Sequence, residues 1–190
     1  MASTDRDPWV SVRTRHDFAG DEVISALQKE IRRGNTENAA LLAYEMITTS
    51  PELEMKLWHR LIVISVEDIG LGDPQAPILI NTLYQMKQTL GARAAEGWLF
   101  AVHAVRTLCE AKKDRSSDEL ALWIKREVEG GRLKASIPDY ALDMHTARGQ
   151  QMGRGFEHFL QEGAQLNPEL PDRDLTYRER ITKLVEEGRM

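Results

Sequence analysis

The chain has 190 residues, of which 42% are hydrophobic and 29% charged, with a formal net charge of −5. That length and composition support a packed core and exclude global disorder. The acidic total argues against a protein that coats nucleic acid by bulk electrostatics, though it leaves room for a local basic patch.

In chain order, residues 1–17 are mostly polar and are expected to form a loose arm. They hold no apolar run of signal-peptide length. From Asp21 to Arg33, Val23, Ile24, Leu27 and Ile31 fall on one helix face. Asp21 and Glu22 suit the positive end of that helix, Arg32 and Arg33 its negative end, and Gly34 closes it. A second helix is predicted over about 36–48, with Ala39, Leu42, Ala43, Met46 and Ile47 inward. Ser50-Pro51 is a start signal for a third. This third helix carries Leu53, Leu57, Trp58, Leu61, Ile62 and Ile64 and is nearly all apolar in its second half, so it should be the central one.

That helix stops near Gly70-Leu71-Gly72, and Asp73-Pro74 restarts the chain. The next helix is expected to pack through Leu79, Leu83, Met86 and Leu90 and to end at Gly91. Pro77 is able to move its start along the chain. Another covers about 93–111, with Trp98, Val102, Val105 and Cys109 on one stripe. Cys109 is the single cysteine, so no internal disulfide forms. Its apolar register makes it a small core residue rather than a nucleophile. Ser116 to Glu119 fits a capping box opening a helix with Leu120, Trp123, Ile124 and Val128 inward, closed by Gly130-Gly131. Six helices on short connections favour antiparallel neighbours.

The remainder reads differently. Ile137 to His145 suggests a short helix, after which Gly149, Gly153, Gly155 and Gly163 break the chain. A last helix over about 174–187 uses Tyr177, Ile181 and Leu184. The expected organisation is an arm over 1–17, a helical domain over 18–136, and a tail of short helices and loops over 137–190. No stretch approaches the ~20 apolar residues of a membrane span, so the expected location is cytoplasmic.

Three stretches resemble one family. They are VISALQKEIRRG from Val23 to Gly34, with the Ala39-Ala40 helix after it; SVEDIGLGDPQA from Ser65 to Ala76; and, more loosely, AVHAVRTLCEAKK ending at Lys113. These are similar to the "SA-(L/F)-x-K-x-IRG", "ASEDIGLADPxA" and "Q-A-x-I-Y-L-A-x-A-P-K-S" stretches of the MgsA/RarA replication-associated AAA ATPases. The likeness covers about 17–115. Val66 stands where the family usually has Ser, and Gly72 where it has Ala. Past residue 137 the family's "HLRxAPTKLMKELGYGKGY" is not reproduced, and the tail is expected to depart from it. The resemblance implies an all-α, clamp-loader-collar-like helical bundle. In the family this region drives tetramerisation, in proteins that act at stalled replication forks. The family's ATP-binding residues lie upstream of the stretch resembled here, so none is carried over, and the chain reads as this region without its ATPase domain.

The candidate chemistry is sparse. No G-x-x-x-x-G-K-(S/T) occurs, so nothing reads as a phosphate-binding loop, and no cofactor is expected. Of the 5 histidines, none has a glutamate three residues before it. His16-Asp17 resembles a metal phosphohydrolase pair without its further ligands, so no metal is expected. Glu67-Asp68 is read first as a structural pair bonding loop amides around Gly70 and Gly72, and second as an interface. Gly70, Asp73 and Pro74 belong to the same corner. Gly70→Val is expected to cost about 1–3 kcal/mol if its φ is positive. In the tail, Arg148 and Arg154 stand among glycines, with Arg132 and Lys134, and Lys125 and Arg126, as neighbours. They are a candidate phosphate or nucleic-acid site, weighed against an ordinary solvated loop.

The reading is a non-catalytic oligomerisation or adaptor module associated with DNA replication, repair or recombination. Its expected partners are its own copies, as a dimer or tetramer, and a separate ATPase or replication protein. The alternative is a small nucleic-acid-binding protein that makes a weak DNA contact through the basic Gly-rich tail.

Overall fold

A computed structural model describes residues 7–90 and 96–190; the expected end of a helix at Gly91 lies outside them. Among the described residues the structure is helical, with one isolated bridge between Arg13 and Ala19. The chain divides into two units, Met1–Gly130 and Gly131–Met190.

The first unit holds α1 (Gly20–Arg33), α2 (Thr36–Thr49), α3 (Pro51–Ile64), α4 (Ala76–Leu90), α5 (Gly97–Glu110) and α6 (Ser116–Glu129). The end signals act as anticipated on α1 and α3. Gly34 takes φ 74° and returns its N–H to the carbonyls of Glu30 and Ile31. Ser50 Oγ accepts from the Leu53 N–H at 3.2 Å, with Pro51 in the first turn. α3 is central: Leu53, Leu57, Trp58, Leu61 and Ile64 are buried, against Val23, Leu27 and Ile31 of α1 and the small Ala39 and Ala43 of α2. Cys109 is buried in this core, and burial pushes its thiol pKa up.

Four expectations change. α4 buries Ala76, Ile80 and Leu83, while Leu79, Met86 and Leu90 are exposed. The helix starts at Ala76, with Pro77 tolerated in its first turn, and the inward face is turned from the one expected. α5 turns Ala101, Ala104, Val105, Leu108 and Cys109 inward, because alanines allow close approach to α2 and α4. α6 buries none of its residues, so Leu120, Trp123, Ile124 and Val128 are exposed rather than inward. Its cap differs too: Arg115 holds the cap position, and the Asp114 carboxylate accepts from the Ser116 N–H at 2.8 Å.

The described part of the N-terminal segment is docked rather than loose. Trp9 and Val12 pack on the core. The Arg15 N–H donates to Thr49 Oγ1 at 3.0 Å, and the His16 N–H to Glu45 Oε1 at 2.9 Å. His16 Nδ1 lies 2.5 Å from Glu45 Oε2, which gives this histidine a structural role.

The second unit contains α7 (Ala147–Gln151), α8 (Phe156–His158) and α9 (Thr176–Glu186). The helix expected from Ile137 is a single 3₁₀ turn, Asp139–Ala141. Asp143 organises the entry to α7. Its carboxylate accepts from the His145 N–H at 2.9 Å, and its carbonyl accepts from the Thr146 N–H at 3.0 Å. Thr146 Oγ1 then caps α7 at Gly149 N. His145 and Phe156 both pack against Phe159. Among the described residues no helix is long and apolar enough to cross a membrane.

Candidate functional site: the acidic corner and the basic tail

After Ile64 the backbone widens into one π-helical turn, Ser65–Ile69, closed by the Gly70 N–H donating to the Ser65 carbonyl. The extra residue in a π turn shifts the later side chains around the helix. Asp68 and Ile69 are thereby buried. Gly70 has φ 51° and ψ −128°, which turns the chain into the 3₁₀ turn Gly70–Gly72. Asp73 then opens α4: its carboxylate accepts from the Gln75 N–H at 3.0 Å, with Pro74 between them.

The connection between α5 and α6 runs across this corner. A Cβ on Gly70 would sit 2.4 Å from the Asp114 carbonyl oxygen, and one on Gly72 2.4 Å from that of Lys112. The Asp114 N–H donates to the Asp68 carbonyl at 3.0 Å. The second and third family-like stretches therefore meet in space, and the two glycines are what lets their backbones touch.

Asp68 is completely buried, and a buried carboxylate must be met by donors. Arg32 Nε donates to Oδ1 at 2.5 Å, Arg115 Nη1 to the same oxygen at 2.7 Å, and Gln28 Nε2 to Oδ2 at 2.8 Å. Glu67 is more open. Its Oε1 accepts from Gln28 at 2.8 Å and Arg115 at 3.2 Å, with Arg32 at 3.5 Å and Arg60 at 3.7 Å from the carboxylate. Arg60 also donates to Gln28 Oε1, and Arg115 Nη2 reaches Asp118 on α6 at 2.5 Å. Burial alone would push the Asp68 carboxyl up; the hydrogen bonds from Arg32, Gln28 and Arg115 outweigh it and hold the pKa below the usual aspartate value. The pair was expected to bond loop amides. It binds side chains from α1, α3 and the α5–α6 connection instead, and the Gly70 N–H goes to the Ser65 carbonyl.

Chemically the corner is a clamp. Both carboxylates face guanidiniums, and both oxygens of Asp68 are taken up by Arg32, Arg115 and Gln28. Sequence reasoning missed all four partners, Gln28, Arg32, Arg60 and Arg115. Gln28 and Arg32 stand four apart on one face of α1, and Arg60 stands two helical turns before Glu67, which were usable signals; Arg115 lies 48 residues beyond Glu67.

The basic tail residues separate in role. Arg154 donates through Nη1 to the carbonyls of Asp139 at 2.7 Å and Leu142 at 2.9 Å, and through Nη2 to the Asp139 carboxylate at 2.5 Å. It thus pins the 3₁₀ turn to the end of α7. Arg148 is exposed on α7, and Arg132 and Lys134 are exposed in the segment before the 3₁₀ turn. Gly149 is needed for packing, since a Cβ there would meet the Asp143 carbonyl oxygen at 2.0 Å. Lys125 and Arg126 lie on α6, in the other unit.

The family model described as MgsA AAA+ ATPase C terminal matches residues 34–172. Replication-associated recombination protein A of Bacillus subtilis (strain 168) is 33% identical over 147 residues, covering 75% of this chain and 34% of the relative. The protein of the same name from Haemophilus influenzae (strain ATCC 51907 / DSM 11121 / KW20 / Rd) is 27% identical over 154 residues, covering 77% and 32%. The chain thus spans about a third of the length of these curated relatives. The match corrects the expectation that the tail departs from the family: it runs to residue 172, through the Asp143 network, α7 and α8. On these matches the chain belongs to the family of MgsA AAA+ ATPase C-terminal domains.

Proposed function

We propose that this chain is a non-catalytic assembly module associated with replication or repair, which associates with its own copies and serves as an adaptor for a replication ATPase. The observation that carries the reading is the state of the acidic corner. The most specific motif in the chain spends both its carboxylates on guanidiniums, and so acts as a joint between helices rather than as a reaction centre. The 190 residues hold no phosphate-binding loop, and the family they belong to is named for the C-terminal part of an ATPase. The test is light scattering at tens of micromolar, with and without ATP, beside calorimetry. The expected result is a dimer or tetramer of unchanged size with no micromolar ATP binding. A monomer removes the assembly part of the reading, and micromolar ATP binding removes the non-catalytic part.

A second reading rests on the exposed Arg148: a weak, salt-dependent contact with DNA through the tail, to which Arg132 and Lys134 add charge. Because Arg154 is bound to Asp139 and Leu142, the two arginines should behave differently. Arg148→Ala is expected to lower the magnitude of the salt slope by roughly one while leaving the melting curve alone. Arg154→Ala is expected to destabilise the second unit by about 1–2 kcal/mol through the lost charge-assisted bonds. Gel shifts with forked DNA across a salt series decide. If the parent shows no binding at low salt, the nucleic-acid reading fails.

A further inference from the structure

α6 is the anomaly of the first unit. Each of the other five helices buries a face in the core, whereas none of the 14 residues of α6 is buried. Yet the helix is amphipathic. Leu120, Trp123, Ile124 and Val128, at the i, i+3, i+4, i+8 spacing of one face, are 54%, 53%, 43% and 50% exposed. A helix of this length is marginal in water on propensity alone and takes most of its stability from packing an apolar face. α6 is anchored by its first turn, through the Arg115–Asp118 pair and against the π turn and 3₁₀ turn of the corner. Those turns expose two further apolar side chains, Val66 and Leu71.

We propose that the apolar stripe of α6 is the self-association face of this protein, and that a second copy covers it with its own α6, antiparallel about a two-fold axis near Trp123. The proposal rests on the assembly reading above and names the surface. The charges choose the occupant and its direction. Glu119 and Arg126 are seven residues apart, two turns, and so lie on the same flank of the stripe. An antiparallel pair centred between them sets Glu119 of each copy against Arg126 of the other. A parallel pair would put this flank of the two copies on opposite sides of the seam, so that neither Glu119 nor Arg126 would meet its counterpart. The axis falls beside Trp123, where an indole from each copy meets at the centre, the place where aromatic anchors contribute most to an interface. Arg126 and the half-buried Glu127 each also engage a group of their own chain. Two helices of about 21 Å bury less than the ~1,200 Å² of a stable interface, so Val66 and Leu71 are the residues that widen it.

The experiment is sedimentation velocity and light scattering of the full chain, parent against α6 variants, with circular dichroism to show that each variant keeps its helix content and melting curve. Trp123→Glu is expected to give a monomer at concentrations where the parent associates. Glu119→Arg and Arg126→Glu are each expected to weaken association about tenfold by placing like charges opposite each other. The double reversal is expected to restore it to within about threefold of the parent. A structural role for either charge within one chain would not produce that rescue. If the parent associates and Trp123→Glu leaves it unchanged, α6 is not the face, while the assembly reading stands. If the double reversal is no better than the singles, the antiparallel pairing is wrong. A parent that stays monomeric at tens of micromolar overturns the assembly reading itself, and α6 is then covered by something other than a second copy.

Discussion

Asp68→Asn is expected to lower the unfolding free energy by about 3 kcal/mol, measured by urea denaturation followed by circular dichroism. The carboxylate has no exposed surface, and Arg32, Arg115 and Gln28 converge on it within 2.8 Å. The amide leaves two guanidiniums facing a group with no charge. Breaking a buried pair from one side costs about 3–5 kcal/mol. The low end applies, because the side chains of Arg32 and Arg115 keep 31% and 30% exposure and rehydrate in part. Glu67→Gln touches the same arginines at a site 26% exposed, and water already screens it, so it should cost less than about 1 kcal/mol. The pH dependence has a definite sign. The folded pKa of Asp68 is depressed, so the stability it contributes is present above the unfolded pKa of about 3.9 and is lost as pH falls through the lower, folded value. The parent should therefore lose stability below about pH 4, and Asp68→Asn should lose less over that window. An Asp68→Asn variant within about 0.5 kcal/mol of the parent, with the same acid limb, would show that the cluster is ornamental.

How much of this corner was legible in the sequence depends on the range of the signals. Local signals worked. Gly34 closing α1, Ser50-Pro51 opening α3, and the apolar spacing of α1 and α3 each depend on neighbours within a turn or two. The acidic pair and its glycines were visible as a corner for the same reason. Its long-range partners were not, because Gln28 and Arg32 on α1 and Arg115 on the α5–α6 connection come to the acidic pair only once those elements have packed; Arg60, two turns before Glu67 on the same run of helix, was the local partner left unread. The register of α4 was misjudged because it was read from Leu79, Met86 and Leu90 beside Leu83, whereas the face that turns inward is set by Ala76, Ile80 and Leu83, four and three residues apart, which leaves Leu79 outside. For α6 the pattern was read correctly as amphipathic, and its apolar face was assumed to turn into the chain's own core, which periodicity cannot decide. In the tail, Arg148 and Arg154 looked equivalent among glycines. Only the fold shows Arg154 turned back onto Asp139 and Leu142 and Arg148 left at the surface. The docking of residues 8–17 rests on Glu45, a charged residue at an otherwise apolar stretch of α2. A buried glutamate in such a stretch is itself a sign that something polar must arrive to meet it.

Gly70→Ala is expected to cost at least about 3 kcal/mol, more than any other single-methyl change in the corner. Two effects act together. At φ 51° and ψ −128° an L side chain is strained, worth about 1–3 kcal/mol. The added Cβ also meets the Asp114 carbonyl oxygen at 2.4 Å, and backbone cannot swing aside as a flexible side chain can. Moving residue 114 away would stretch its N–H bond to the Asp68 carbonyl and pull at Arg115, one residue on, which holds Glu67, Asp68 and Asp118. The loss should therefore not add to that of Arg115→Ala: the double variant should be less destabilised than the sum by more than about 0.5 kcal/mol, since both changes undo the same joint. Gly131→Ala is the control. Its φ of 68° is also positive, but nothing lies within 4 Å of the added methyl, so only the left-handed backbone term of about 1–2 kcal/mol remains. Urea titrations of the three single variants and the double variant measure all of this. If Gly70→Ala costs no more than Gly131→Ala, the α5–α6 connection does not press on the corner. If it melts like the parent but no longer associates, the corner is a contact surface and not a joint.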